Sequence, residues 1–354
     1  MVRYSDNLRP VLQSLKPYVA GRGIQEIARA YGLEPQSIVK LGSNENPYGP
    51  SPSVRPAMAR APVELYPEAE DFISALAEYT GFSEEEVLVG SGMDGVMDTL
   101  TRLFLGPGDT SLIPTPTFSY YEILTRLCGA DPTFVRRGPE FQVLERSARG
   151  AKMTFLCSPN NPTGNVLEEE DLRRLVESTE GIVFLDEAYV DFARRSLAGL
   201  VREYENLVVG RTMSKAFGLA GLRLGYALAP PWIAEQYRRA APPFFGLTTT
   251  SVAAGVAALG DLEHMRRSVA RIVSERERLT SEIPGARPSQ GNFLYLETAS
   301  PSSEVAEAML GKGVIIRDCR SFRDAGLHRI RVTVGTPQQN DRFLEAYREI
   351  CTSP

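Results

Sequence analysis

Only two histidines, His264 and His328, occur in 354 residues, so a mechanism that needs a histidine cluster is poorly supplied. Cysteine is nearly as scarce. Cys128, Cys157, Cys319 and Cys351 lie far apart and form no CxxC pair, which leaves zinc and redox-dithiol chemistry without support. No stretch approaches the roughly 18 uninterrupted apolar residues of a membrane-spanning helix, and the opening MVRYSDNLRPVLQSLKPYV lacks a secretory apolar segment. The expectation is a cytoplasmic protein with reduced thiols and no membrane partner. Positive charge is not in excess either. A net charge of -5 gives no electrostatic reason for nucleic acid to bind. Neither GxxxxGK(S/T) nor GxGxxG followed by an acidic residue is present, which disfavours ATP or NAD by those routes.

What is present is an alternation. Between about residues 68 and 230, segments with helical spacing (EAEDFISALAEYTG, MDGVMDTLTRLFL, FSYYEILTRLCGA, LEEEDLRRLVEST) alternate with short apolar runs (VLVGSG, TSLIPTP, MTFLCSP, GIVFLDEAY, NLVVGRTMS, LRLGYALAP). Apolar strands between amphipathic helices predict an α/β fold with a mostly parallel sheet covered on both faces. The rhythm changes after Pro242-Pro243. A long charged helix is predicted from about Asp261 to Ile283, closed by Pro284-Gly285. NFLYLE, a helix around SSEVAEAML, VIIRD, RIRVTVG and a last helix from Gln338 then read as a smaller α+β domain. The expected organisation is an N-terminal arm and part of the small domain over 1–43, a large domain over 44–246 and a small C-terminal domain over 247–354.

Functional residues of open α/β sheets gather at the carboxyl ends of the strands. Four of the predicted strands end in Gly90-Ser91-Gly92-Met93-Asp94-Gly95, Ser158-Pro159-Asn160-Asn161-Pro162-Thr163-Gly164, Asp186-Glu187-Ala188-Tyr189 and Thr212-Met213-Ser214-Lys215. Taken singly, these read as a glycine turn, an Asn-Gly turn, a capping acid and a solvated lysine. Taken together, they offer five groups at adjacent strand ends. Glycines before a helix let backbone N–H groups meet a phosphate. The amide, the acid and the tyrosine can hydrogen-bond a ring, and a lysine among small apolar residues can be desolvated into a nucleophile. Pyridoxal 5'-phosphate (PLP) would use all five.

The longer stretches LGSNENPYGPSP (41–52), LYPE (65–68), CSPNNPTG (157–164), FLDEAYVDF (184–192) and RTMSKAFGLAGLRLGY (211–226) carry a resemblance in their order and spacing. The sequence resembles the fold-type-I PLP-dependent aminotransferases and, within that group, the histidinol-phosphate aminotransferases, from LKPYV at 15–19 to RVTVGT at 331–336. The resemblance implies a large domain with a mostly parallel seven-stranded sheet and a smaller α+β domain, assembled as a homodimer. It implies that Lys215 carries PLP as a Schiff base and moves a proton, and that Asp186 pairs with the pyridine nitrogen. Asn161 and Tyr189 would bond the phenolic oxygen, and Phe118, where tyrosine is frequent, would stack on the ring. The phosphate would lie on the backbone of Gly92, Met93 and Asp94, on Thr212, Ser214 and Arg223, and on Tyr66 from the neighbouring subunit.

The same resemblance implies Arg331 as the carboxylate binder. Arg317, Tyr18 and Asn44 would assist it with L-histidinol phosphate, which carries a phosphate in place of an α-carboxylate. The implied reaction is transamination of this phosphorylated amino alcohol with 2-oxoglutarate, giving imidazole-acetol phosphate and glutamate. Rival readings are an aromatic amino-acid aminotransferase and a PLP lyase such as a threonine-phosphate decarboxylase. A PLP-fold transcription regulator would carry a DNA-binding region, and the roughly 40 residues before the first cofactor-domain strand do not resemble a helix-turn-helix.

Overall fold

The computed structural model describes residues 7–19, 21–143 and 148–351. Residues 1–6, part of the segment read for a secretory leader, lie outside that description. Twelve strands occur among the described residues. In chain order they are β1 (Val39–Lys40), β2 (Val87–Ser91), β3 (Thr110–Thr115), β4 (Asp131–Arg136), β5 (Met153–Cys157), β6 (Ile182–Asp186), β7 (Leu207–Thr212), β8 (Leu224–Leu228), β9 (Phe293–Glu297), β10 (Val314–Ile315), β11 (Arg317–Asp318) and β12 (Arg329–Thr333).

The main sheet has seven strands in the order β2-β8-β7-β6-β5-β3-β4, as expected, and β8 alone runs antiparallel to its neighbours. Every residue of β5 and β6 is buried. These central strands therefore read as unbroken apolar runs rather than alternating ones. Amphipathic helices cover the sheet. Glu70–Thr80 buries Phe72 and Leu76, one helical turn apart, and ends on Gly81 in the left-handed conformation. Gly92–Phe104 begins where β2 ends and buries Met93, Val96, Met97 and Leu100.

The second unit is a three-stranded antiparallel sheet, β11-β12-β9, with helices Ser302–Gly311 and Pro337–Cys351. VIIRD divides between two sheets. Val314–Ile315 pairs in parallel with β1 from the N-terminal segment, whereas Arg317–Asp318 pairs with β12. The expected boundary at 246/247 falls just before a helix, Thr249–Leu259, that packs against Val54–Arg60 and Glu70–Thr80. No described helix is long and apolar enough to cross a membrane.

The approach of β8 to the start of helix Gly92–Phe104 is backbone on backbone. A Cβ on Gly225 would stand 2.0 Å from the Met93 nitrogen and 2.2 Å from the Gly92 carbonyl carbon, and backbone cannot swing aside as a side chain can. Gly221, nearby in sequence, has open space around it. Gly225→Ala should therefore cost about 1–3 kcal/mol, the usual range for overpacking, and Gly221→Ala close to nothing. Equal melting temperatures for the two variants in parallel thermal melts would show that the contact is not as tight as described.

Candidate active site

The carboxyl ends of β2, β5, β6 and β7 open into one cavity of about 400 Å³, closed on its far side by β11 and β12 and flanked by Tyr18 from the N-terminal segment. Thirteen of the sixteen residues singled out from the sequence line it: Tyr18, Met93, Asp94, Phe118, Asn161, Asp186, Tyr189, Thr212, Ser214, Lys215, Arg223, Arg317 and Arg331.

One end of the cavity is built for an anion. Helix Gly92–Phe104 presents its N-terminus there, with Met93 and Asp94 at the wall. Thr212 and Ser214 stand beside it, the Thr212 hydroxyl donating to the Ser214 Oγ at 3.0 Å. The Arg223 guanidinium completes the cradle and donates to Asp94 Oδ2 at 2.8 Å. Gly92 itself does not line the cavity. Its N–H is given to the Arg223 carbonyl at 2.7 Å, so it is not a donor to a ligand, contrary to the expectation above. Its part is spatial: it sits at φ 70°, and a Cβ there would stand 2.5 Å from Arg223 Nη2.

The middle is flat and acidic at its base. Asp186, 2% exposed, accepts from the Ala188 N–H at 2.9 Å and from the Tyr121 hydroxyl at 2.5 Å. Phe118 forms one face. Tyr18 meets that ring edge-on at 5.8 Å and Tyr121 meets it edge-on at 5.6 Å. Lys215 donates to the Ser43 carbonyl at 3.2 Å, with its Nζ 5.7 Å from the centre of the Tyr189 ring.

The far wall carries two arginines that register places directly opposite each other, Arg317 on β11 and Arg331 on β12. Like charges facing across a sheet repel. Both are buried, and neither has a carboxylate partner among the ion pairs of the described residues. Arg331 donates to the Gly42 carbonyl at 2.8 Å and to Asn161 Oδ1, while Arg317 donates to the Val19 carbonyl at 2.7 Å and to Ser321 Oγ at 3.1 Å. Each retains a buried Nε without a partner. An anion between them would relieve both defects.

Two further expected residues do not face the cavity. Asn44, held at φ 56° and 1% exposed, donates to the Tyr189 hydroxyl at 3.0 Å and accepts from Thr333 Oγ1 at 3.0 Å. It orients Tyr189 from behind rather than meeting a substrate, because its polar atoms are already engaged. Tyr66 is 77% exposed and stacks at 4.6 Å on Phe244, away from this chain's own cavity. Three residues that matter were not singled out: Ser43, Glu45 and Tyr121. For Tyr121 a signal existed, since it stands three positions after Phe118 at the opening of a helix.

A ligand that uses every wall of this cavity is at once an anion, a flat aromatic and an electrophile, which is the chemical description of PLP; the residues present fit it. Residues 36–346 match the family model for aminotransferase class I and II, and the chain belongs to that family. The histidinol-phosphate aminotransferase of Methanosarcina mazei is 49% identical over 345 residues, covering 94% of each chain. That of Methanococcoides burtonii is 44% identical over 99% of this chain and 100% of its own. Among solved structures, histidinol-phosphate aminotransferase from Sinorhizobium meliloti in complex with pyridoxal-5'-phosphate superposes with a TM-score of 0.83 at 26% identity, covering 98% of each chain.

Without a ligand the site is electrostatically costly. Burial first, then Arg331, pulls Lys215 down to about 8. Burial pushes Asp186 up to about 6, against the hydrogen bonds from Tyr121 and Ala188. A carboxyl that binds its proton more tightly when folded loses stability as pH rises from its unfolded value to about 6. A lysine that releases its proton more readily when folded carries its full penalty below about 8 and sheds it as pH rises toward its unfolded value. Both penalties are present between those two pH values. Lys215→Met should therefore stabilise the cofactor-free protein at neutral pH by about 1–2 kcal/mol, after discounting for partial exposure, while abolishing turnover. A variant melting below cofactor-free wild type at pH 7 would contradict this.

Proposed function

We propose that this chain transfers an amino group between L-histidinol phosphate and 2-oxoglutarate, giving imidazole-acetol phosphate and glutamate, a step of histidine biosynthesis. The observation that carries the substrate assignment is the buried cross-strand pair Arg317 and Arg331, which is short of anionic partners and set across the cavity from the Arg223 cradle. Two anion sites suit a phosphate-bearing cofactor with a phosphate-bearing donor. The shared name of the relatives, at 44% and 49% identity, supports the same reaction.

When bound, PLP supplies an electron-accepting ring that eases loss of a proton from the amino-bearing carbon. The remaining work falls to this chain's side chains. Lys215 would attach the cofactor and move that proton, and the burial that pulls its amine down favours the neutral form the transfer needs. Asp186 faces the ring nitrogen as a carboxylate. Tyr189 and the amide NH2 of Asn161, whose Oδ1 is occupied by Arg331, donate to the phenolic oxygen. Met93, Asp94, Thr212, Ser214 and Arg223 bind the cofactor phosphate. Arg317 and Arg331 bind the donor's phosphate or the carboxylate of the oxo acid, and Tyr18 borders that site.

Val63, Leu65, Tyr66 and Phe244 form an exposed apolar surface that supports a homodimer, in which Tyr66 reaches the partner's cofactor phosphate. We assign the N-terminal segment with the β11-β12-β9 sheet to a small domain and the seven-stranded sheet to a large one, in a cytoplasmic enzyme without nucleic-acid partners.

A half-reaction titration tests the substrate. Conversion of the bound cofactor to its amine form should need far less L-histidinol phosphate than phenylalanine, with glutamate also converting it; preference for phenylalanine would move the function to aromatic amino-acid transamination. Arg317→Gln should raise the KM for L-histidinol phosphate roughly 10- to 100-fold, the loss expected for a charge-assisted bond to phosphate. An unchanged KM in steady-state assays would remove Arg317 from the site.

A further inference from the structure

Tyr121 was no part of the expected machinery, and its surroundings are unusual for a core tyrosine. Its side chain is fully buried. The ring lies parallel to that of Phe155 on β5 at 5.0 Å, and Phe118 meets it edge-on at 5.6 Å. Stacking below and an edge contact beside it leave the phenol one orientation, in which the hydroxyl meets Asp186 Oδ2 at 2.5 Å. The other carboxylate oxygen is held by the Ala188 N–H at 2.9 Å. Both oxygens are therefore fixed before any ligand arrives, and each keeps a further lone pair for a donor.

We propose that Tyr121 is a positioning residue for Asp186: its hydroxyl sets the plane of the buried carboxylate and keeps that group ionised and ready for a protonated ring nitrogen. The inference rests on Asp186 meeting the ring nitrogen, as proposed above. Besides Tyr121, the titratable groups that face Asp186 are Cys157, its register partner on β5, and Tyr189, Asp94 and Lys215. Burial drives the Cys157 thiol upward, so it stays neutral, and Asp94 disfavours the carboxylate whereas Lys215 favours it. Lys215 is consumed when it attaches the cofactor, which leaves the Tyr121 and Ala188 donors as the lasting support. Tyr121 is itself pushed well above its ordinary value by burial and by Asp186, so it remains a donor at every working pH. The arrangement needs a phenol in particular: phenylalanine keeps the stack and loses the donor.

The test is Tyr121→Phe in the full chain, read in two ways. In cofactor-free protein, the side-chain carboxyl signal of Asp186, assigned by its disappearance in Asp186→Asn, should titrate roughly one pH unit higher than in wild type. In equilibrium binding, PLP affinity at neutral pH should fall about tenfold, and the loss of affinity on acidification should begin at correspondingly higher pH. Phe155→Leu separates packing from the hydroxyl: it should lower the melting temperature and leave the Asp186 titration in place. A Tyr121→Phe protein whose Asp186 titrates as in wild type, or a Phe155→Leu protein with the same displacement, overturns the proposal. If Asp186→Asn binds PLP as tightly as wild type, the ring-nitrogen role of Asp186 fails first, a result distinct from failure of Tyr121 alone.

Discussion

Burying charge without neutralising it is the constraint on which the rest of this structure depends. Asp186 at the end of β6, Lys215 after β7 and the opposed Arg317 and Arg331 all lose water on folding, and none of them gains a full counter-charge among the described residues. Isolated buried charges are expensive. They persist because a rigid scaffold holds them: fully buried central strands, a glycine-only contact between β8 and the helix at Gly92, and hydrogen-bond donors such as Tyr121 and the Ala188 N–H aimed at the carboxylate. The same residues that weaken the empty protein are those a phosphate-bearing aromatic cofactor and an anionic donor would satisfy, the usual exchange of stability for function.

The geometry divides the work between two sheets. The parallel strands deliver the acid, the lysine and the anion cradle from their carboxyl ends, where helix N-termini and loops converge. The antiparallel β11-β12-β9 sheet contributes paired arginines through register alone. The N-terminal segment joins the two, since β1 pairs with β10 while Ser43, Asn44 and Glu45 just beyond it reach Lys215, Tyr189 and the cavity wall. Arg317 holds the carbonyl of Val19 in the same segment, so the arginine wall of the cavity is tied to the arm that flanks it.

Much of this was legible in the sequence because the fold rewards simple patterns. Apolar runs ending in Asp186, Thr212 and Gly90 marked the strands, and distinctive motifs marked the residues that line the cavity. What was not legible depends on tertiary placement. Asp131–Arg136 is an edge strand containing Pro132 with a partly exposed surface, so no continuous apolar run marks it. Thr249–Leu259 is buried on several sides and made of small residues, so it has little amphipathic period to detect. VIIRD looks like one strand but serves two sheets. Asn44 has the residue type of a ligand-binding amide, yet its backbone conformation and three polar neighbours turn it toward Tyr189. A tyrosine at position 121 on a helix facing the sheet reads as core until its hydroxyl is found on Asp186.

The central claim, that the site's charges are a liability of the empty protein which the cofactor repays, is tested most directly by Asp186→Asn, measured for stability and for cofactor binding in the same preparation. The account predicts that the cofactor-free variant melts above cofactor-free wild type at pH 7, because a neutral amide replaces a buried carboxylate, and that it binds PLP far more weakly. A variant that melts lower when empty, or that retains wild-type affinity for PLP, would contradict it.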